Sequence, residues 1–421
     1  MVSKCNRNTP QALLMFFAFS MILFFPSLTM ILLGQSSFTL GIVAASLCIS
    51  FFLGIHFYLH RTVKLDQSVI FALLIIVSCC LFIFVHLFFV NQQLPMLVEV
   101  DAKRFIFSFA CIFIVVLSAF LAALYLKNNS TTYHFYNVVN ICGILLLLNG
   151  LISLTKIDFF STGLAKPTFL FLEPSHFALV VTPFLIYFCL TLSRNKALLL
   201  LLIVASWAGY IQNLTLLMGV VLAFTISTRQ NLVFAALLFT LFVGALITLL
   251  GIDSLSYFTD RLVLSGDNDN LSVLVLFQGW QNAIETLTTQ SYLGGGFQQF
   301  GVTTVYGSVS DKLYALLGFS INQFDGGATA PKLVGEFGIF GIAFLCGYLI
   351  FYLKVFLTLR SNVSVSKMDV FFYAIFLASF LEFFIRGVGY FSPLMYLFLV
   401  SVFYFTVQKA KIKLEKNETD C

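Results

Sequence analysis

The residues best placed for chemistry are ionisable side chains at the edges of apolar segments. Pro174 favours the first turn of a helix, so Glu173 lies near the helix cap and His176 within the first turn. A helix N-terminus favours an anion, and a carboxylate there can accept a proton from an incoming hydroxyl group. A structural cap and an interfacial histidine would explain the same spacing. Both interpretations stay open at this point.

Basic residues beside apolar segments raise a second question. An ionisable group at membrane depth is costly and usually faces a cavity or a partner, which is the functional interpretation of Arg386, Arg261 and Arg104. Arg386 could instead pair with Glu382, one helical turn earlier, or extend its side chain to the lipid headgroups. The sequence alone does not decide between these alternatives.

The composition is that of a membrane protein. Hydrophobic residues make up 60% of the 421-residue chain and charged residues 10%, whereas about a quarter of the residues in soluble domains are charged. The nine cysteines fall in apolar runs or at the termini, which indicates packing residues rather than disulfides or zinc ligands. The net charge of +5 follows a membrane-protein pattern, so we expect no nucleic-acid binding.

Twelve apolar segments have roughly the 20 residues that a helix needs to cross a membrane. They are residues 12–33, 38–59, 68–90, 105–126, 135–154 and 176–192, the two halves of 197–227, and residues 231–251, 332–357, 369–385 and 391–408. Polar residues near the middle of 197–227 predict a tight hairpin there. We therefore predict an all-α polytopic protein whose residues 1–421 form a single membrane domain.

The orientation follows from the basic residues. Most of the 23 Lys and Arg residues fall on the side that holds both termini, which predicts cytoplasmic termini. The Glu173 region and the long polar segment 252–331 then face outward. Within that segment, apolar residues spaced by three and four predict an amphipathic helix lying on the outer leaflet.

The two faces of that helix can be assigned from its period. The apolar positions are Val273, Leu276, Phe277, Trp280, Ile284 and Leu287, and the polar ones are Ser272, Gln281, Asn282, Glu285 and Thr288. Asp267 and Asp269 precede it and favour a capping turn over a metal site. Further along, Glu336 is expected just inside the next span.

Short motifs in this half of the chain resemble those of bacterial O-antigen polymerases. They are F-L-E-P-S-H at 171–176, N-L-S at 270–272, Q-G-W at 278–280, G-G-F-Q-Q-F-G at 295–301, D-G at 325–326, G-E-F-G-I-F-G at 335–341 and E-F-F-I-R-G-V-G-Y-F at 382–391. They occur in order, and the single large outer loop agrees with the family. Residues 1–165 match only in being a series of spans.

The resemblance implies a glycosyltransferase of the bacterial inner membrane. On the periplasmic face, it would transfer a growing glycan from undecaprenyl diphosphate onto an incoming lipid-linked repeat unit, without a metal cofactor. The expected partners are the undecaprenyl-diphosphate-linked oligosaccharide, membrane lipid and a polysaccharide chain-length regulator.

Roles for individual residues follow as expectations from the same resemblance. Arginines would stabilise the leaving diphosphate, and Glu173 or His176 would accept the proton of the attacking hydroxyl group. The expected catalytic residues are Glu173, His176, Arg261 and Arg386, and the expected substrate-binding residues are Arg104, Lys332, Asp325, Glu336 and Gln298.

Two other functions remain open. An O-antigen ligase would use the same chemistry with lipid A-core as the acceptor. A flippase or transporter for the lipid-linked repeat unit needs polar residues spread through many spans and usually shows two similar halves, whereas here the charges gather in outer loops.

Overall fold

The computed structural model describes residues 9–61, 66–93, 99–129, 132–163, 166–228, 261, 270–361 and 365–419. Within these residues the chain forms fifteen α-helices. They are α1 (Thr9–Leu23), α2 (Phe25–Leu33), α3 (Thr39–His60), α4 (Gln67–Gln93), α5 (Ala102–Asn129), α6 (Thr132–Ser153), α7 (Pro174–Thr191), α8 (Arg194–Tyr210), α9 (Leu214–Ser227), α10 (Leu271–Thr289), α11 (Ser308–Leu317), α12 (Thr329–Phe337), α13 (Ile339–Arg360), α14 (Lys367–Phe384) and α15 (Pro393–Thr419).

Six helices in the described ranges are long and apolar enough to cross a membrane, namely α3, α4, α5, α6, α7 and α13. The pair α1 and α2, bent by 44°, makes a seventh candidate. The predicted all-α membrane architecture is therefore confirmed, but the number twelve is not. Helix α9 has only 14 residues, and the predicted span 231–251 lies outside the described residues.

Helix α7 is the centre of the core. Every residue from His176 to Cys189 is buried, as expected for a helix that is apolar on all sides. Phe371 of α14 packs against α7, with its ring centroid 5.2 Å from that of Phe184. Cysteines are also part of this packing, since Cys142 and Cys189 are buried free thiols. The rigid core thereby fixes the ends of α7 and α14 relative to each other.

The predicted hairpin within 197–227 is confirmed. Helices α8 and α9 are joined by a short turn, in which Gln212 adopts a φ of 51°. Asn213 caps α9 by accepting a hydrogen bond from the Leu216 N–H at 3.1 Å. Its side-chain amide also donates to Pro174 O at 2.7 Å, so the tip of the hairpin lies at the start of α7.

A layer of shorter elements covers this end of the bundle. The loop after α10 is held by backbone hydrogen bonds from Gly295 N to Gly335 O at 2.7 Å and from Gly296 N to Glu336 O at 2.8 Å. His86 of α4 hydrogen bonds to Leu293 O through Nε2 at 2.9 Å. The loop is thus fixed both to α12 and to the membrane helices.

The predicted span 332–357 is interrupted in the structure. Gly338 has φ 57° and ψ −128°, a conformation that essentially only glycine adopts. It lets the chain pass so close to Tyr292 O that a Cβ at this position would overlap that atom. The span-length helix α13 begins after this break. The prediction that Glu336 lies just inside the span is therefore wrong, because Glu336 belongs to the separate short helix α12.

The predicted amphipathic helix exists as α10, with Asn270 as its N-cap. Asp267 and Asp269, expected to form the capping turn, lie outside the described residues. The assignment of Asn282 to an outward polar face is wrong. Asn282 is buried. Its Oδ1 accepts hydrogen bonds from Gly307 N at 2.9 Å and from Ser310 Oγ at 3.0 Å, which satisfies polar groups of the segment that covers α10.

Candidate functional site

Arg386 and Glu173 form an ion pair between residues that are 213 positions apart. Arg386 Nη2 donates to Glu173 Oε2 at 3.0 Å. The hydroxyl group of Ser175 donates to the same oxygen at 3.0 Å. The side chains are 26% and 42% exposed, so the pair borders solvent. Arg386 therefore pairs with Glu173, and its alternative pairing with Glu382 is wrong.

Local backbone structure explains how the two side chains meet. Glu173 is the N-cap of α7 with an extended backbone, but its side chain makes no capping hydrogen bond, which leaves the carboxylate for Arg386. Helix α14 ends just before Arg386, whose N–H still donates to Leu381 O at 2.9 Å. Gly387 N then donates to Gly327 O at 3.1 Å. This bond fixes the corner after α14 to the loop before α12.

The protonation state of Glu173 is set by its neighbours. Partial burial opposes ionisation, but the charges of His176 and Arg386 and the hydrogen bonds from Ser175 and Arg386 lower the pKa of Glu173 below its ordinary value of 4.5. The group is an ionised carboxylate at neutral pH, with one oxygen already accepting two hydrogen bonds. It is better suited to orienting Arg386 than to taking up a proton.

His176 lies beneath this pair. The imidazole is buried, with Nε2 3.8 Å from Glu173 Oε2 and its ring centroid 4.7 Å from that of Phe38. Its Nδ1 has no hydrogen-bond partner among the described residues. The structure thus brings His176 together with Glu173 and Arg386 but encloses its ring, whereas the two partners above it reach the surface.

A second cluster lies on α12 and the adjoining loops. The Lys332 side chain is only 2% exposed, and its Nζ donates to Phe324 O at 2.7 Å. The same Nζ lies 3.8 Å from both Asp325 Oδ1 and Glu336 Oε1. Tyr390 donates its hydroxyl hydrogen to Glu336 Oε2 at 2.7 Å. Lys332 is thus a buried ammonium between two carboxylates.

The two carboxylates differ in their access to solvent. Glu336 is fully buried, and burial raises its pKa although Lys332 and the hydrogen bond from Tyr390 oppose that effect. The Asp325 side chain is 47% exposed. Lys332, Glu336 and Tyr390 therefore hold this corner of the molecule together, and Asp325 is the member of the cluster that solvent can reach.

Gly389 connects the two clusters. A Cβ on Gly389 would lie 3.4 Å from Asp325 Oδ1 and 3.6 Å from Lys332 Nζ, and Arg386 precedes it by three residues. The corner after α14 therefore carries Arg386 at one end and borders Asp325 at the other. Sequence reasoning missed Tyr390 as a member of the second cluster, although it lies in the same motif as Arg386.

Arg104 and Gln298, both expected to bind substrate, border the second cluster. The guanidinium carbon of Arg104 lies 4.1 Å from the centroid of the Phe324 ring, a cation–π geometry. Gln298 is buried and has a φ of 59°, and its backbone N–H hydrogen bonds to the carboxylate of Glu336. Gln298 therefore contacts the second cluster through its backbone, whereas the side chain of Arg104 reaches the surface.

Arg261 belongs to a third, basic group. Burial, followed by the positive charges of Arg261 and Lys156, lowers the pKa of Lys166. Lys166 Nζ donates to Gln212 Oε1 at 2.9 Å, and Lys156 Nζ lies 4.4 Å from the centre of the Tyr210 ring. These cations gather at the tip of the α8–α9 hairpin, which meets the start of α7. The sequence shows them only as scattered loop charges.

Comparison with known proteins gives no match, whether with family models, with characterised protein sequences or with solved structures. Among the described residues, no group of three His, Cys, Asp or Glu side chains is placed to hold a metal ion. The site is therefore interpreted from its own geometry. It presents one partly exposed guanidinium fixed by a carboxylate, a second partly exposed carboxylate beside a buried lysine, and a nearby basic group.

Proposed function

We propose that this protein is an O-antigen polymerase, a membrane glycosyltransferase. It would transfer a growing undecaprenyl-diphosphate-linked glycan onto an incoming lipid-linked repeat unit. The observation that carries the proposal is the 3.0 Å pair between Arg386 and Glu173. It brings together two of the motifs that resemble the family, and it fixes a guanidinium after the end of α14, beside the start of α7.

Arg386 suits the charge that develops in this reaction. As the sugar–phosphate bond breaks, negative charge forms on the leaving diphosphate, and preorganised donors stabilise it without reorganising. Glu173 accepts from one terminal nitrogen of Arg386, so the other N–H groups of the planar guanidinium stay available for phosphate oxygens. Arg261 with Lys156 and Lys166 supplies further positive charge nearby.

The distribution of basic residues supports a location in the bacterial inner membrane with this site on the periplasmic face. The lipid diphosphate would then approach from the outer leaflet, with its isoprenoid chain in the bilayer. A chain-length regulator would act as a partner of the same reaction.

The proposal is tested by deleting the gene and complementing the strain with variants. The deletion should leave lipopolysaccharide with core plus one repeat unit, and the wild-type gene should restore the long ladder. Arg386→Ala should leave single repeats at normal protein levels, because removing one transition-state donor costs about 10²–10³-fold in rate. Lys103→Ala, which removes an exposed cation near Arg104, should give a normal ladder.

Other outcomes of this experiment would contradict the proposal. Bare core in the deletion strain would indicate a ligase, since a ligase is needed for the first repeat as well. Loss of lipid-linked units from the periplasmic leaflet would indicate a flippase. A normal ladder with Arg386→Ala would remove Arg386 from the mechanism.

A further inference from the structure

We propose that the acceptor sugar binds at the edge formed by Phe324 and Asp325, and that the Asp325 carboxylate takes the proton from its attacking hydroxyl group. This inference rests on the proposed polymerase function and assigns the acceptor half of the site. It also moves the role of proton acceptor away from Glu173 and His176, where the sequence placed it.

Among the carboxylates of the two clusters, Asp325 is the partly exposed one that accepts no hydrogen bond from the described residues. Glu173 already accepts hydrogen bonds from Arg386 and Ser175, and Glu336 is buried and bound by Tyr390. The Asp325 side chain is 47% exposed and accepts no hydrogen bond from the described residues. The nearest cation is Lys332 at 3.8 Å, which is too far for a hydrogen bond and leaves the acceptor positions of the carboxylate unused.

The backbone holds Asp325 rigidly. The next two residues, Gly326 and Gly327, adopt φ values of 65° and 69°, which glycine tolerates without strain. Their turn is wedged between two elements. Gly279 of α10 lies so close that a Cβ there would overlap Gly326 O, and Gly387 N donates to Gly327 O. A tightly fixed turn that presents a carboxylate with unused acceptors is suited to preorganised chemistry.

The neighbours of Asp325 match the surface of a sugar. The Phe324 ring is 42% exposed and offers an apolar face for ring C–H groups. Arg104, over the same ring at 4.1 Å, can donate to sugar hydroxyl groups. Close by, the Gln323 amide donates to Gly301 O at 3.0 Å and contacts the hydroxyl of the half-exposed Tyr306. An aromatic ring edged by such polar groups is how proteins fix and orient a polar ligand.

The proposed step forms one bond at the anomeric carbon of the donor sugar and breaks one. The acceptor oxygen forms a bond to the anomeric carbon of the donor sugar, and the bond from that carbon to the phosphate oxygen breaks. The electron pair of the broken bond leaves with the diphosphate, beside Arg386. The proton of the attacking hydroxyl passes to Asp325 and later to water. Gly389 borders Asp325 and follows Arg386 by three residues, so both groups belong to the same corner of the molecule.

The test uses the purified full-length protein in lipid nanodiscs, with the lipid-linked repeat unit extracted from the deletion strain as donor. The same oligosaccharide without lipid diphosphate serves as the acceptor, because it has no leaving group and cannot act as a glycan donor. Asp325→Asn should lower the rate of glycan transfer by about 10²–10⁴-fold, the usual contribution of a general base, and should flatten its pH dependence. Asp325→Glu should recover part of the rate. Asp311→Asn, which neutralises an exposed acid on α11, should behave as wild type.

Measurements of donor binding and of acceptor kinetics test the acceptor site separately from the polymerase function. Phe324→Leu should raise the acceptor KM several-fold and leave kcat nearly unchanged, and Asp325→Asn should bind the lipid-linked donor as wild type does. A wild-type rate in Asp325→Asn, or an equal loss of donor binding, would overturn the acceptor site while polymerisation itself still stands. Absence of any transfer by the wild-type protein would instead overturn the proposed function.

Discussion

At the scale of single residues, three carboxylates of the candidate site differ in the hydrogen bonds that they already accept. Glu173 is occupied by Arg386 and Ser175, Glu336 by Tyr390 with Lys332 beside it, and Asp325 by no hydrogen bond from the described residues. A carboxylate that is ionised and hydrogen bonded is a weak base. Glu173 therefore orients the guanidinium, and Asp325 is the carboxylate that we propose acts on the substrate.

The pH dependence of stability distinguishes these roles for Glu173. Its pKa is lowered in the folded protein, so the Arg386 pair contributes stability that is fully present above the ordinary pKa of 4.5 and is lost as pH falls through the lowered value. Glu173→Gln should therefore lower the Tm by an amount that is constant from about pH 8 to pH 5 and shrinks only in more acidic buffer. Thermal unfolding of both proteins in one detergent measures this difference.

Glu285→Gln, which removes an exposed carboxylate from α10, is the control and should leave the Tm close to that of wild type at every pH. If the Tm of wild type instead rises relative to that of Glu173→Gln as the pH falls from 8 to 5, the folded-state pKa of Glu173 is raised. Glu173 would then again be a candidate proton acceptor, and its assignment as the anchor of Arg386 would be wrong.

The pairing of these residues shows what the sequence can and cannot predict. The residue types of Glu173 and Arg386, and their places at the ends of apolar runs, predict both as functional residues. Their contact was not predicted, because spacing along a chain suggests only local partners, and for Arg386 that partner was Glu382. A contact across 213 positions depends on how α7 and α14 pack, which no local pattern encodes.

At the scale of elements, hydropathy predicts helices well and their interruptions poorly. The hairpin of α8 and α9 and the helix α10 were predicted from polar residues and period, and both are present. The break at Gly338 was not predicted, because Phe337 and Ile339 continue the apolar run through it. What ends α12 is a close backbone approach to Tyr292, and such an approach is a tertiary feature.

That break yields a prediction about stability. Gly338→Ala should destabilise the protein by about 1–3 kcal/mol from backbone strain alone, and the overlap with Tyr292 O adds to this. The contact of the 290–301 loop with α12 should loosen as a result, and polymer formation should fall with it. Thermal unfolding and the lipopolysaccharide ladder measure the two effects.

Gly347→Ala is the matched control. Gly347 lies within α13, and a Cβ there meets no atom within 4 Å. Alanine is favoured over glycine in a helix by about 0.5–1 kcal/mol, so this variant should be as stable as wild type or slightly more so. Equal stability of Gly338→Ala and Gly347→Ala would mean that the break does not need its glycine conformation.

At the scale of the whole molecule, the ionic groups gather at two opposite ends of the bundle. Helix α5 shows this division. At its start Asp101 N donates to Gln299 Oε1 at 2.9 Å, in the layer around the candidate site. Near its end Lys127 Nζ pairs with Asp66 Oδ2 at 2.8 Å. The intervening helix is apolar, and this separation suits a protein that spans a bilayer.

The proposed chemistry requires the two ends to face different compartments, with the candidate site on the periplasmic side. In a background without native cysteines, Asp311→Cys on α11 reports the site end and Asn195→Cys at the start of α8 reports the opposite end. A membrane-impermeant maleimide should label Asp311→Cys in cells whose outer membrane alone is permeabilised, and it should label Asn195→Cys only after lysis. Both residues are exposed, so burial does not limit either reaction. The reverse pattern would place Arg386 and Asp325 in the cytoplasm, where the periplasmic lipid-linked repeat unit cannot reach them, and neither the polymerase nor the acceptor site would survive that result.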